Sequence, residues 1–323
     1  MAETLQRQML VDESLAGMRL DQAAAQLLDG FSRVQIQSWI ESGALLYQGR
    51  QVRASLRVVC GAAISLEVEL TARTQAEAED IPLRLVFEDD DILVIDKPAG
   101  LVVHPGAGNT HGTLMNALLH HAPELAALPR AGIVHRLDKD TSGLLVVARQ
   151  PAAQEDLIAQ LKARSLRRIY QAWVCGIPAA QGEVDAAMGR HAQDRVRMTV
   201  RPDGKEARTA YRRLAVYGQF SHLELRLATG RTHQIRVHMS HLGHPLLGDP
   251  VYRPGAACLR HAGAELSAYL SVFRRQALHA CELGLQHPRT RAQLTWHSPL
   301  PDDLLKLQAV LCADADAKKI TGA

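Results

Sequence analysis

A carboxylate at the mouth of an apolar strand is unfavourable unless a cation or hydrogen bonds offset its lost hydration. The stretch Gly132–Gly143, GIVHRLDKDTSG, creates that situation. Ile133 and Val134 lead into His135, Arg136, Leu137 and Asp138, and Gly143–Ala148 (GLLVVA) follows as a fully buried strand. These residue types suit chemistry at a dry site, and equally a structural Arg–Asp pair closing a turn. A second cluster is Thr229–Leu242, TGRTHQIRVHMSHL, where Thr232 is the expected N-cap of a helix over 232–242. Ile235, Met239 and Leu242 make its buried stripe, which leaves Arg236 at the core's margin, in reach of a buried carboxylate. His233, His238, His241 and His244 raise a metal reading. Spacings of five, three and three, with no H-E-x-x-H and no Glu or Asp within the stretch, argue against it. The third cluster, Lys97–Gly108 (KPAGLVVHPGAG), is a tight loop after a strand, and its G-A-G lacks the G-K-[ST] of a P-loop. Ser142 lacks the glycine two residues earlier that a nucleophile elbow requires, which speaks against a serine hydrolase.

The elements that would position these clusters are strand-rich. Leu83–Phe87 and Ile92–Ile95 flank an acidic turn, Ile169–Cys175 alternates with Tyr170, Ala172 and Val174 on one face, and Leu223, Leu225 and Leu227 repeat the alternation. Helices are expected over 115–120, 152–164, 232–242 and 301–312. Strands in series with a few helices indicate an α+β fold with a mixed, largely antiparallel sheet over residues 81–312. The polar run Thr71–Asp80 reads as a linker. Before it, residues 13–75 form a small α/β module: a helix after Leu20, a second capped by Ser32 with Val34, Ile36 and Ile40 inward, then a strand pair, 44–47 with 51–52. Residues 1–12 and 313–323 are expected to be frayed ends, and residues 253–269 to be loop.

At 323 residues, two domains are expected. Apolar residues at 47% and charged ones at 22% fit a soluble globular chain and exclude a disordered or collagen-like one. No apolar run reaches the roughly 20 residues of a membrane span, and MAETLQRQML lacks the layout of a signal peptide, so a cytoplasmic protein with no membrane partner is expected. Five scattered cysteines without a C-x-x-C pair suggest reduced thiols. Net charge is only +3, but Lys162 to Arg213 holds twelve basic and five acidic side chains, an arginine-dominated segment suited to a polyanion.

Taken together, H-R-L-D-x-x-T-S-G (His135–Gly143), K-P-x-G-L-x-V-H-P-G (Lys97–Gly106), R-x-Y (Arg168–Tyr170), T-G-R-x-H-Q-I-R-V-H (Thr229–His238) and H-P-L-x-G-D (His244–Asp249) resemble the RluA-type pseudouridine synthases, in order, over residues 80–312. G-x-R-L-D (Gly17–Asp21), Ser32-Arg33 and I-x-x-G (Ile40–Gly43) resemble the S4 RNA-binding domain, although residues 1–75 carry seven arginines, no lysine and eight acidic residues. Val102–Asn109, Arg130–Thr141 and Arg275–Ala280 are similar to the members acting on the large ribosomal subunit.

The resemblance implies an isomerase that converts uridine to pseudouridine in 23S ribosomal RNA or a large-subunit precursor, in the helix 69 stem-loop. It acts as a monomer, with no metal and no cofactor, because the net reaction consumes nothing and transfers no electrons. Asp138 would be the catalytic aspartate and Arg236 the cation that favours its charged form. Tyr170 would stack on the uracil and help remove the C5 proton. The base must flip out, with Arg136 filling its place. Leu137 would form the floor, while His135 and Thr141 shape the loop. Arg33, Arg167, Arg168, Arg231 and His233 are the further RNA-contacting candidates. Alternatives are a synthase for other 23S sites or tRNA, and an RNA-binding assembly factor whose synthase domain is only a scaffold.

Overall fold

The computed structural model describes residues 3–28, 31, 33–70, 76–106, 109–194 and 197–321. The chain forms two compact units, 1–73 and 74–323. Ser32, Gly108 and Arg195 lie outside the described residues.

In the first unit, β1 (Glu3–Leu10) is followed by α1 (Leu20–Leu27), α2 (Arg33–Ser42), β2 (Leu45–Tyr47) and β3 (Ala63–Leu70). β3 is central, antiparallel to β1 from Glu3↔Leu70 to Leu10↔Ala63 and to β2 at Leu45↔Leu66. The N-terminal segment is thus a strand from residue 3, not a frayed end. β2 pairs with β3 and not with residues 51–52. Leu20, Ala23, Ala24, Ile36 and Ile40 pack against Leu45, Ile64 and Leu66. The charged residues of G-x-R-L-D and S-R meet inside this unit. Asp21 is fully buried and accepts hydrogen bonds from Arg19, Gln37 and Arg33, whose Nη2 lies 2.7 Å away. Burial alone would raise its carboxyl, but these donors hold it at about 2. Arg33, a candidate RNA contact, therefore ties α2 to α1.

The second unit is built on one large sheet. Its elements are β4 (Leu85–Glu88), β5 (Ile92–Lys97), α3 (Leu114–His121), β6 (Ser142–Ala148), α4 (Pro151–Lys162), β7 (Arg167–Cys175), β8 (Gln181–Asp185), β9 (Met188–Arg190) and β10 (Met198–Val200). Then come β11 (Arg208–Tyr217), β12 (Phe220–Leu227), α5 (Gln234–His241), α6 (Ala256–Leu259), α7 (Ala264–Val272), β13 (Leu278–Gln286), β14 (Gln293–His297) and α8 (Asp302–Thr321). The strand order is β4-β5-β6-β13-β7-β12-β11-β8, with β14 added on β13 and β9 paired to β10 apart. β6 and β13 run parallel and the other described pairs antiparallel, the mixed, largely antiparallel sheet expected.

Alternation distributes β5 and β6 between two cores. Leu93, Ile95, Leu145 and Val147 join Tyr170 and Leu225 on one face, while Ile92, Val94, Leu144 and Val146 pack under Leu157 of α4 on the other. A third core sets α7 and α8 against Trp173 and Phe220. Several expectations are corrected. Residues 253–269 include α6 and the start of α7, and α8 continues through residue 321. Glu77 and Glu79, expected in the linker, bond to Asn116 of α3. Cys175 and Cys258, 83 residues apart, lie side by side, because the end of β7 lies beside α6 with 6.0 Å between Cα atoms.

Gly143 fixes where the strand following the Asp138 turn can lie. Its φ is +113°, and a Cβ there would overlap the backbone of Ala280 on β13. Gly143→Ala should lower the thermal midpoint of the full chain by roughly 5 °C or more, about 2 kcal/mol; an unchanged midpoint would mean β13 does not crowd this glycine.

Candidate active site

The turn between Asp138 and β6 is fixed from three sides. Within it, the Thr141 amide donates to the Asp138 carbonyl at 3.0 Å. Below it, fully buried Lys97 donates from Nζ to the carbonyls of Pro98 (2.7 Å), Lys139 (2.8 Å) and Leu101 (3.0 Å), joining the K-P-A-G loop to the turn. Burial pushes the Lys97 ammonium down to about 7, against the opposing pull of Asp140 and Asp138. From the side, the segment entering β13 grips it: Arg275 Nη1 donates to the Asp140 carbonyl (3.2 Å) and Gln276 Nε2 to Thr141 Oγ1 (2.9 Å). Ser142 Oγ lies 3.0 Å from His279 Nδ1. His135 sits inside the loop, its Nε2 accepting from the Val146 amide at 3.2 Å, and burial pushes the ring down to about 3. Leu137 is buried in the core beneath.

Arg236 projects from α5 into this turn. Its Nη1 is 3.1 Å from Asp138 Oδ2. Its other two donors form a fork on Asp249, Nε to Oδ2 at 2.7 Å and Nη2 to Oδ1 at 2.8 Å. Asp249 Oδ1 also accepts the amides of Val251 (2.8 Å) and Tyr252 (2.9 Å). Burial opposes the charge on both partners, but these contacts prevail, so the Arg236 guanidinium is raised and the Asp249 carboxyl lowered. The Tyr252 ring lies 5.1 Å from the guanidinium, within cation–π range, and its hydroxyl is 3.0 Å from His233 Nδ1. α5 itself is set by Gln234, whose amide donates to the Arg208 carbonyl and Thr209 Oγ1, both at 2.9 Å. The helix begins after His233, held at φ +58°, and not at Thr232.

Asp138, Arg236 and Tyr170 meet in one cavity of about 500 Å³, also lined by His104, Arg130, Arg136, Lys162, Arg168, Arg231 and His233. Tyr170 comes from β7, is 5% exposed, and has its phenol pushed up to about 12 by burial. Arg136 is exposed, and Arg231 donates from Nε to the Glu206 carbonyl at 3.0 Å. Arg167 belongs elsewhere. It projects from the opposite face of β7 and pairs with Glu282 at 2.8 Å. Leu242, expected in the buried stripe, is 37% exposed, whereas Ile235 and Met239 are buried.

The histidines of the second cluster diverge. His238 is bonded to Thr209 Oγ1 and the Ala186 carbonyl, and His244 to the Cys175 carbonyl. Much of the arginine-rich segment is likewise engaged in the fold: Arg164 with Glu206, Arg208 with Asp185 and Arg212 with Glu224. Sequence reasoning missed the roles of Asp249, Lys97, Arg275 and Gln276. Asp249 closes the H-P-L-x-G-D stretch, and that position was the available signal.

Residues 91–241 match a family described as RNA pseudouridylate synthase. The chain is 50% identical over 317 residues to "Ribosomal large subunit pseudouridine synthase D" of Pseudomonas aeruginosa, covering 98% of this chain and 99% of that protein. It is 45% identical over 320 residues to the protein of that name from Escherichia coli, covering 99% and 98%. The solved structure titled "Human RNA Pseudouridylate Synthase Domain Containing 4" is similar at a TM-score of 0.55 and 26% identity, over 71% of this chain and 92% of that one.

The half-buried His135 sets a pH dependence. The unfolded chain takes up a proton as pH falls through 6.5, while the folded ring resists until about 3. Stability should therefore fall by about 1.4 kcal/mol per pH unit for this residue across that window. His104 and His222, pushed down to about 4 by burial, act in the same direction. Denaturant unfolding of the wild type and His135→Gln from pH 7 to 4 should show a shallower slope in the variant; identical slopes would mean the ring is protonated in the folded chain.

Proposed function

The chain belongs to the RNA pseudouridylate synthase family, and on that premise we propose that it isomerises uridines of large-subunit (23S) ribosomal RNA, in the helix 69 stem-loop. The observation that carries this reading is the pair of Asp138 and Arg236 at 3.1 Å, beside Tyr170 in the same cavity. The large-subunit target follows the names of the relatives. Helix 69 follows the stretches Val102–Asn109, Arg130–Thr141 and Arg275–Ala280. No described helix is long and apolar enough to cross a membrane. We place the enzyme in the cytoplasm, where ribosomal RNA is met, acting as a monomer.

The reaction breaks the C1′–N1 bond, turns the base, forms the C1′–C5 bond, and moves one proton from C5 to solvent while N1 gains one. Asp138 adds to C6 of the base or acts at C1′, and either route needs a fixed carboxylate oxygen. Arg236 takes Oδ2 and supplies the countercharge, leaving Oδ1 for the substrate. A phenol pushed up to about 12 is protonated at neutral pH, so Tyr170 enters as a neutral ring stacked on the uracil. It can receive the C5 proton only while releasing its own. A stacked uridine cannot reach a carboxylate at the base of this cavity, so it must be extruded, at a few kcal/mol. Arg136 fills the vacated stack in this reading, which its exposure at the cavity supports. Arg130, Lys162 and Arg231 supply positive charge for the backbone.

Asp138→Asn should reduce pseudouridine formation in large-subunit rRNA transcripts by at least about a thousandfold while RNA affinity changes by less than about threefold. Retained activity would remove Asp138 from the chemistry. Full ribosome assembly in cells carrying only this variant would identify the protein's essential contribution as scaffolding. Mapping rRNA from cells lacking the protein should show pseudouridines missing from helix 69 alone.

Because many arginines between 162 and 213 carry internal counterions, affinity should fall by roughly 2 to 3 log units per log unit of salt, as for about four phosphate contacts. A slope near 8, as for twelve contacts, would place the RNA path along the whole basic segment.

A further inference from the structure

We infer that Arg168 is the seat of a backbone phosphate of the extruded uridine, holding the nucleotide by its anionic group while Asp138 acts at the sugar or base. This rests on the reading above and assigns Arg168 a specific partner. Arg168 is only 6% exposed, yet its Nε has no hydrogen-bond partner, and no carboxylate lies within ion-pair reach among the described residues. Its neighbours differ: Arg164 pairs with Glu206 at 2.7 Å and Arg167 with Glu282 at 2.8 Å. An arginine buried without a countercharge is unfavourable in the free protein, and a ligand anion removes the penalty.

The surroundings are shaped for this side chain. A Cβ at Gly230 would stand 2.7 Å from Arg168 Nη1, so the absence of a side chain there leaves room for the guanidinium. Arg168 and Tyr170 alternate on one face of β7, about 6.5 Å apart along the strand, and both line the cavity. With Tyr170 against the base, the guanidinium is one step away, towards the sugar–phosphate. Uracil and ribose carry no charge, so the phosphodiester is the only anion the substrate offers. Tyr170 is not the missing counterion: its phenol stays protonated, pushed up to about 12 by burial even with Arg168 beside it.

The test is a chemical double-mutant cycle with the full chain. A stem-loop RNA that the wild type converts is made with a neutral methylphosphonate immediately 5′ or 3′ of the target uridine, and its dissociation constant is measured. In the wild type one of the two substitutions should weaken binding by roughly tenfold or more, as for a lost charge-assisted hydrogen bond. In Arg168→Gln the same substitution should matter by less than about twofold. Gly230→Ala, which displaces the guanidinium by another route, should show the same loss of phosphate sensitivity and serves if Arg168→Gln does not fold. Equal methylphosphonate effects in wild type and variants, or no effect at either position, would overturn the inference. A variant that keeps the phosphate effect but shifts the pH profile of turnover would assign Arg168 to Tyr170 instead.

If the wild type converts no large-subunit stem-loop, the target reading fails while the phosphate seat stays testable. Uridine 3′,5′-bisphosphate should then raise the wild-type thermal midpoint more than uridine does, and Arg168→Gln should erase the difference. Equal shifts from the two ligands in the wild type would reject the seat.

Discussion

One guanidinium shared by two carboxylates holds the site together. Asp249 is the anchor: it is buried, accepts two backbone amides, and takes the two-pronged end of Arg236. The remaining donor of Arg236 is thereby aimed at Asp138 before any substrate arrives. A lone Asp138–Arg236 contact would leave a long side chain free to rotate. Forked on Asp249 and covered by Tyr252, it has little such freedom, so the Asp138 carboxylate is held in place before any substrate binds. Breaking a buried pair of this kind typically costs about 3–5 kcal/mol, because the partner is left charged and unsolvated.

The rest of the second unit keeps the turn of Asp138 where Arg236 can meet it. Lys97, at the end of β5, gathers three carbonyls from two loops. The approach to β13 supplies Arg275 and Gln276, and β13 itself lies so close to β6 that Gly143 must lack a side chain. Strands distant in sequence thus set the position of one carboxylate. Their registers are fixed by the alternation of β5 and β6 between two apolar cores, since a slip of one residue would exchange the buried faces.

Much of this was legible in the sequence where the signal is local. The buried run of β6, the alternation of β7 and β12, and the helix carrying Arg236 follow from periodicity, and the motif set names the chemistry. What escaped depends on distant partners. β1 is half polar and earns its place only by pairing with β3, sixty residues on. The end of α8 carries alanines, strong helix formers, and continues the helix where the sequence reading expects a frayed end. The pairing of Cys175 with Cys258 in space follows from tertiary structure alone. Charge counting finds the cations but not their partners: Arg33 pairs with Asp21, twelve residues before it, and Arg167 with the distant Glu282. Asp249, the partner that matters most to Arg236, is thirteen residues away and beyond any helical spacing.

The most direct test of the shared guanidinium is a double-mutant cycle on kcat/KM for pseudouridine formation, using Arg236→Met, Asp249→Asn and their combination. If Asp249 acts only by aiming Arg236, each single change lowers the rate and the double variant is no slower than Arg236→Met alone. Losses that multiply in the double variant would contradict the account, because Asp249 would then contribute by a route that does not pass through Arg236.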